Sequence, residues 1–354
     1  MRPLKSAAGL ILAVALLALA PATAADQPAA EEADPESTAA DLITPEAQRA
    51  IDRGLEFLAR QQRDDGSFGS GGYSHNVAVC GLAGMAFMSA GSTPGRGPYG
   101  KQVDRCLDFI LSNSQDSGFI DVPGSSAHGP MYGHGFATLF LAEAYGMSMR
   151  AELRERLAKA VELIVNTQNK EGGWRYQPQR HDADISVTIC QIMALRAARN
   201  AGIHVPRETI DRTVEYVKKS QNADGGFMYM LQGGTSAFPR SAAGVVALYS
   251  AGIYKGPEIE KGLAYLMESI PNREIAGFNR ETHYFYGHYY AVQAMWHAGG
   301  ERWREWYPAI RDELLARQRG DDGAWMDTIC PEYGTAMACL ILQMPNNYLP
   351  IFQR

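Results

Sequence analysis

The sequence predicts an all-α protein whose helices close into a double ring, and two observations predict it. The first is a recurring motif. "RQQRDDGSFG" (60–69), "NTQNKEGGWRY" (166–176), "SQNADGGFMY" (220–229) and "ARQRGDDGAWMD" (316–327) each carry a Gln, a short polar stretch, a Gly and an aromatic. Two weaker copies, "SQDSGFID" (114–121) and "NREIAGFNR" (272–280), fill the gaps. Phe68, Phe119, Trp174, Phe227, Phe278 and Trp325 then fall about fifty residues apart, the spacing of a repeat architecture. The second observation is that each motif separates helices of two kinds.

The chain begins with a segment outside that scheme. Arg2 and Lys5 precede an apolar run from Ala7 to Ala20, and Ala22-Thr23-Ala24 ends it with small residues. Residues 1–24 read as a secretory signal peptide, too short for a membrane span. Residues 25–44 are rich in Ala, Pro, Asp and Glu and read as a disordered leader. The domain is expected over 45–354. The mature protein is expected to be secreted or periplasmic, with no span and at most peripheral contact with a membrane. Net charge is −6 and Lys and Arg form no run, which speaks against nucleic acid as a partner. The five cysteines (Cys80, Cys106, Cys190, Cys330, Cys339) include no CxxC pair. They read as buried thiols, with one disulfide left open and its pairing unassigned.

Before each motif runs an amphipathic helix. In "AQRAIDRGLEFLARQQ" (47–62), Ile51, Leu55 and Leu58 form one apolar stripe while the charged residues face elsewhere. After each motif runs a helix apolar nearly all round, such as "NVAVCGLAGMAFMSAG" (76–91) or "YGTAMACLILQM" (333–344), which must be covered on every side. One helix of each pair is therefore outer and the other inner. An open solenoid needs polar terminal caps. The last inner helix has no polar face and is followed by the still apolar "NNYLPIFQR", so the first repeat is expected to cover it, closing six inner and six outer helices into a ring. Within the motif, Gly supplies a conformation forbidden to other residues, the aromatic wedges against the helix pair, and the Gln amide bonds loop groups at the helix end.

Q-x-x-x-G-x-F/W elements at this spacing resemble the prenyltransferase and squalene-cyclase superfamily along the whole of 45–354. The resemblance implies an α6/α6 toroid with an apolar central cavity. In the triterpene cyclases a D-x-D-D-T-A element supplies the acid that protonates the substrate. "HDADISVT" (181–188) lies at a comparable place, where Asp182 and Asp184 match the first two acids and Ile185 replaces the last. The resemblance makes Asp184 the candidate catalytic acid; local physics makes it a helix N-cap. Cyclases of that kind build their cavity between two helical domains, and this chain has one. In protein prenyltransferase β-subunits zinc is held by a D-x-C pair and a distant His. The nearest candidate, Asp327…Cys330, has the wrong spacing, so neither metal nor cofactor is expected. The G-C-G-E-Q element of thioester toroids is absent.

Of eight histidines, His75, His128, His134, His181, His283 and His288 lie between a motif aromatic and the first turn of its inner helix. "MYGHGFATL" (131–139) and "FYGHYYAVQ" (285–293) repeat one neighbourhood. Parallel inner helices would gather their N-termini, and the positive ends of their dipoles, at one opening. A mouth is expected there with His134 and His288 as further acid–base candidates and Tyr132, Asp182, Arg240, Tyr286 and Tyr333 as substrate-binding residues. Two functions follow. One is an exported toroid that binds or acts on an isoprenoid-type lipid, in the manner of a terpenoid cyclase if it is an enzyme. The alternative is a non-catalytic toroid that binds a protein or peptide at the same mouth. An aromatic-lined void favours the first; an axis filled by Met85, Phe87, Met193 and Leu248 leaves only the second.

Overall fold

The computed structural model describes residues 42–126, 128–271 and 281–353. The segment read as a signal peptide, most of the leader and the fifth motif around Phe278 lie outside the described residues. Among the described residues the chain forms α1 (Pro45–Gln61), α2 (Val77–Ser89), α3 (Gly100–Ser112), α4 (Pro130–Tyr145), α5 (Glu152–Thr167) and α6 (Ile185–Asn200). It continues with α7 (Arg207–Lys219), α8 (Phe238–Ser250), α9 (Pro257–Met267), α10 (Tyr284–Ala298), α11 (Gly300–Arg317) and α12 (Pro331–Leu342). Odd-numbered helices are outer and even-numbered helices inner. Each inner helix packs on the next, and α12 packs back on α2 and α1, so the ring is closed. No helix among the described residues is long and apolar enough to cross a membrane.

Burial follows the two helix types. On α1 only Ala47, Ala50, Ile51, Gly54, Leu55, Phe57 and Leu58 are buried, whereas on α2 every residue but Ala78 is. Ordered packing reaches back into the expected leader: Leu42 and Ile43 lie against the core, and Thr44 caps α1 through Ala47 N–H at 3.2 Å.

The motif joins one repeat to the next. Gln168 Nε2 donates to Gly172 O in its own loop and to Thr209 O on the following outer helix, both at 2.9 Å. Gln62 and Gln221 repeat the arrangement, reaching Gln102 O at 3.0 Å and Glu258 O at 2.8 Å. Gln318 completes the circle by donating to Ala50 O of α1 at 2.8 Å. Gly66 shows why glycine is needed. Its φ is +86° and a Cβ would stand 2.2 Å from Arg105 O of the next outer helix. Phe68, Trp174, Phe227 and Trp325 are buried as wedges, and the two tryptophans donate Nε1–H to Ile164 O and Leu314 O.

The second repeat corrects the expected register. Ser114 stands where the four strong motifs have Gln, and Ile120, six residues on, is the buried wedge; Phe119 is half-buried. The cause is one residue of slip between two adjacent apolar side chains, of which the β-branched Ile fits the slot.

At the C-terminal ends of the inner helices the ring is stoppered by the chain's own tail. Gln343 Nε2 donates to Ala86 O, Asn346 Nδ2 to Ser89 O, and Trp296 Nε1 to Phe352 O. Leu349, Ile351 and Phe352 are buried, and the Phe352 ring meets Tyr289 at 6.4 Å. Ile351 N–H donates to Glu143 Oε2 at 3.3 Å. Met85, Phe87, Met193 and Leu248 are all buried; Phe87 turns outward onto Phe68 and Tyr99. The lower axis is therefore packed, and open space is found at the other end.

Candidate functional site

The N-terminal ends of all six inner helices surround one cavity of about 440 Å³. Six tyrosines border it: Tyr73, Tyr132, Tyr176, Tyr229, Tyr286 and Tyr333. Phe136 and Val79 add apolar wall, and Arg240, Asp327, His128 and His283 add charge or polarity. Of the residues expected at the mouth, Tyr132, Arg240, Tyr286 and Tyr333 are there. Burial pushes the phenols of Tyr132, Tyr286 and Tyr333 well above their ordinary pKa, so they meet a ligand as neutral hydroxyls and ring faces. Arg240 is held by its Nε donating to Phe227 O at 3.0 Å and by a contact with Thr235 O. It makes no ion pair among the described residues, and burial pulls its pKa down.

Asp184 is the N-cap of α6. Oδ1 accepts Val187 N–H at 2.9 Å, while Oδ2 accepts Tyr229 O–H at 3.4 Å and lies 3.8 Å from Arg175 Nε. The residue is fully buried and does not border the cavity; Tyr229 stands between. Burial raises its pKa to about 6 against the downward pull of Val187 N–H, Arg175 and Tyr229. The helix-cap reading of Asp184 is what the geometry shows, with the carboxyl walled off from the cavity by Tyr229. Tyr229 is also paired hydroxyl to hydroxyl with Tyr176. Asp182 lies off the cavity, paired with Arg175; burial pushes its pKa up, but the arginine outweighs that and holds it low.

The two histidines expected as acid–base groups at the mouth are placed elsewhere. His134 is fully buried; Nδ1 accepts Ile120 N–H and Nε2 donates to Ala160 O, both at 3.2 Å. Burial lowers its pKa to about 4. Its role is shared around the ring. Thr188, Ser241 and Thr335 accept the N–H groups of Trp174, Phe227 and Trp325 at 3.1, 2.9 and 3.0 Å. His134 is therefore the second repeat's version of a latch between motif and inner helix. His288 is likewise fully buried, among the rings of Tyr284, Phe238 and Trp306. The reason is helical geometry: residues two apart point about 200° away from each other. With Tyr132 and Tyr286 at the cavity, His134 and His288 must face away.

His128 and His283 are the histidines that do border it. His128 stacks on Tyr73 with ring centroids 5.9 Å apart, and His283 lies in the left-handed region with φ 54° at the start of α10. The sequence reading does not pick out Tyr176 and Tyr229, and it weighs Asp327 only with Cys330 as an ill-spaced metal pair, not as a residue of the mouth. Each lies two residues after a motif wedge, a regularity readable from the repeat alignment. Asp327 Oδ1 accepts Ile329 N–H at 2.8 Å, and Cys330 is buried at the cap of α12. Among the described residues no three His, Cys, Asp or Glu side chains gather as metal ligands would.

These features define a closed α6/α6 toroid with one mouth. Residues 42–159 match the family model of the prenyltransferase alpha-alpha toroid domain, and residues 138–284 that of the squalene-hopene cyclase C-terminal domain. Together the two matches span 42–284, and both are domains of the superfamily that the repeat motif resembles. No curated protein matches it by sequence. By structure it is similar to the type II terpene cyclase MstE from Scytonema, with a TM-score of 0.60 at 15% identity over 86% of this chain and 100% of that one. It is also similar to cellobiose 2-epimerase from Bacillus thermoamylovorans (TM-score 0.60, 13% identity, 84% and 98% coverage). A GH76 alpha-mannanase from Bacteroides thetaiotaomicron gives a TM-score of 0.61 at 11% identity, with 88% and 98% coverage. At such identities the likeness establishes the fold alone.

Proposed function

We propose that the toroid binds an isoprenoid-type ligand in its mouth, with an apolar body against the tyrosine and phenylalanine walls and a polar end near Arg240. The carrying observation is the open-mouthed, tyrosine-walled cavity of about 440 Å³, within the roughly 300–1,000 Å³ of small-molecule sites. Tyrosine faces suit an unsaturated chain, and their hydroxyls, already engaged in part with backbone and with one another, add little polarity. Arg240 favours an acceptor or anionic group at the ligand's end.

Acid–base chemistry at this site runs through Tyr229. When Asp184 is ionised, Tyr229 donates to it; when Asp184 is protonated, the carboxyl becomes the donor and the Tyr229 hydrogen is free to turn toward Tyr176 or a ligand oxygen. Such a relay suits protonation of an oxygen. It does not bring a carboxylic acid against a carbon–carbon double bond, so binding is the primary reading and cyclisation by direct protonation is not part of it. We also propose that the protein works outside the cytosol, on the strength of residues 1–24. The mass of the protein recovered from the medium or periplasm tests that, with cleavage near Ala24 expected.

The ligand test is organic extraction of protein purified from an isoprenoid-producing host, followed by mass spectrometry and by titration of the emptied protein with geranylgeraniol. A stoichiometric polyprenyl species is expected, with binding lost in Ala78→Trp, which fills the cavity from α2. Binding of cellobiose in preference would instead align the mouth with the sugar-processing toroids. A clean extract with no titration signal would overturn the lipid reading and leave a peptide or protein partner.

A further inference from the structure

The five cysteines differ in their company. Cys190, Cys330 and Cys339 are each buried, and no described contact of theirs is to another cysteine. Cys80 on α2 and Cys106 on α3 are free thiols in the structure, and both touch the turn of the first motif. Cys80 Sγ is 3.6 Å from Gly66 O and 3.9 Å from Cys106 O. Gln62 Nε2, which holds Gly66 O at 3.1 Å, also reaches Cys106 Sγ at 3.5 Å. Both sulfurs are thus pinned to one turn of the first motif, between an inner and an outer helix that pack together. The fold does not demand thiols there. In the third repeat the corresponding Gln168 amide meets the Thr213 hydroxyl at 3.0 Å.

We propose that Cys80 and Cys106 are a modification site, joined as a disulfide that ties α2 to α3 when the chain folds in an oxidising compartment. The oxidant is a dithiol–disulfide exchanger or a small-molecule disulfide. One cysteine thiolate attacks a sulfur of that disulfide and releases a thiolate, forming a mixed disulfide. The second cysteine thiolate attacks the protein sulfur of the mixed disulfide and releases the other thiolate. The two cysteines are oxidised and lose two protons, and the oxidant's disulfide is reduced to two thiols. Both thiols are fully buried in the finished fold, so the bond forms while the first helices assemble and is shielded from reductant afterwards. Burial also pushes the Cys80 thiol upward, which leaves little thiolate once the ring has closed. The inference stands apart from the ligand reading, since neither sulfur borders the mouth.

The test is refolding of the mature chain in mixed oxidised and reduced glutathione, then alkylation under denaturing, non-reducing conditions and peptide mapping. The expected result is a linked Cys80–Cys106 peptide pair with Cys190, Cys330 and Cys339 alkylated. Refolding under full reduction, in place of the glutathione mixture, should lower the thermal midpoint by about 5 °C in the wild type and leave Cys80→Ala unmoved. Alkylation of all five thiols, a link between other cysteines, or a wild-type midpoint that is the same after oxidising and fully reducing refolding overturns the proposal.

Discussion

The two ends of the ring are made by the same six inner helices, yet one is open and the other sealed. At the C-terminal ends the tail is seated by backbone hydrogen bonds to Trp296, Arg196 and Glu143 and by the Phe352 ring on Tyr289. At the N-terminal ends the loops carry tyrosines that stop short of filling the space, leaving about 440 Å³. Stability is concentrated where the axis is packed, and recognition is free to vary where it is not. Substitutions at the far end should therefore cost stability without altering ligand binding, and those at the mouth should do the reverse.

The largest break comes from ending the chain after Gln343. That strips the cover from Tyr289 and leaves Trp296 Nε1–H and the Glu143 carboxyl without their tail partners. A loss beyond about 5 kcal/mol is expected, read as loss of the cooperative transition in urea. Ala78→Trp at the mouth should shift the same transition by under about 1 kcal/mol.

Glu143 gives the next effect. Burial raises its pKa to about 8, opposed by Ile351 N–H and Arg196. The native carboxyl then keeps its proton to higher pH than the unfolded one, so its stabilising contribution is complete at low pH. That contribution falls as pH rises from about 4.5 to about 8, by up to about 4 kcal/mol. Glu143→Gln should abolish that part of the slope in denaturation at pH 5 and pH 8.

Near the mouth two groups oppose each other. His134, lowered to about 4, contributes stability that is complete above about 6.5 and is lost as pH falls through about 4. Asp184, raised to about 6, contributes stability present at low pH and lost as pH rises from about 3.8 through about 6. Each is worth about 3 kcal/mol, so in the Glu143→Gln background, used for both variants that follow because it removes the fall set by Glu143, stability between pH 4 and 6 should be nearly flat. Asp184→Asn, which keeps the cap, should unmask a rise with pH. His134→Thr, which restores the latch chemistry of Thr188 and Thr335, should unmask a fall. Parallel profiles in both variants would show that neither group titrates as its surroundings require.

The ring itself was legible in the sequence because repetition and helix amphipathicity are properties of composition and spacing. Closure followed from α12 having no polar face. The N-cap at Asp184 was legible too, since Asp before an apolar run does that locally. The mouth was only half legible. Tyr132 and Tyr286 were found, but His134 and His288 were placed beside them although a spacing of two on an α-helix turns them away. Chemical type had outweighed helical phase. The slip from Phe119 to Ile120 could not be read, because it turns on which of two adjacent apolar side chains fits a slot formed by distant helices. Tyr176 and Tyr229 escaped notice because a Tyr after a structural motif carries no signal until the loops are placed over the axis.

The smallest effect sharpens the boundary between cavity and core. Tyr229→Phe removes one hydroxyl shared by Asp184 Oδ2, at 3.4 Å, and by Tyr176. The bond to Asp184 is long and Tyr229 reaches the cavity, so less than about 1 kcal/mol of stability should be lost. That bond favours the ionised carboxyl, so its loss should carry the Asp184 midpoint above about 6, as followed by carboxyl NMR in wild type and variant. An upward shift with intact ligand affinity would mean that Tyr229 tunes the buried acid from the cavity wall. An unmoved midpoint would separate Asp184 from the mouth and leave it a helix cap alone.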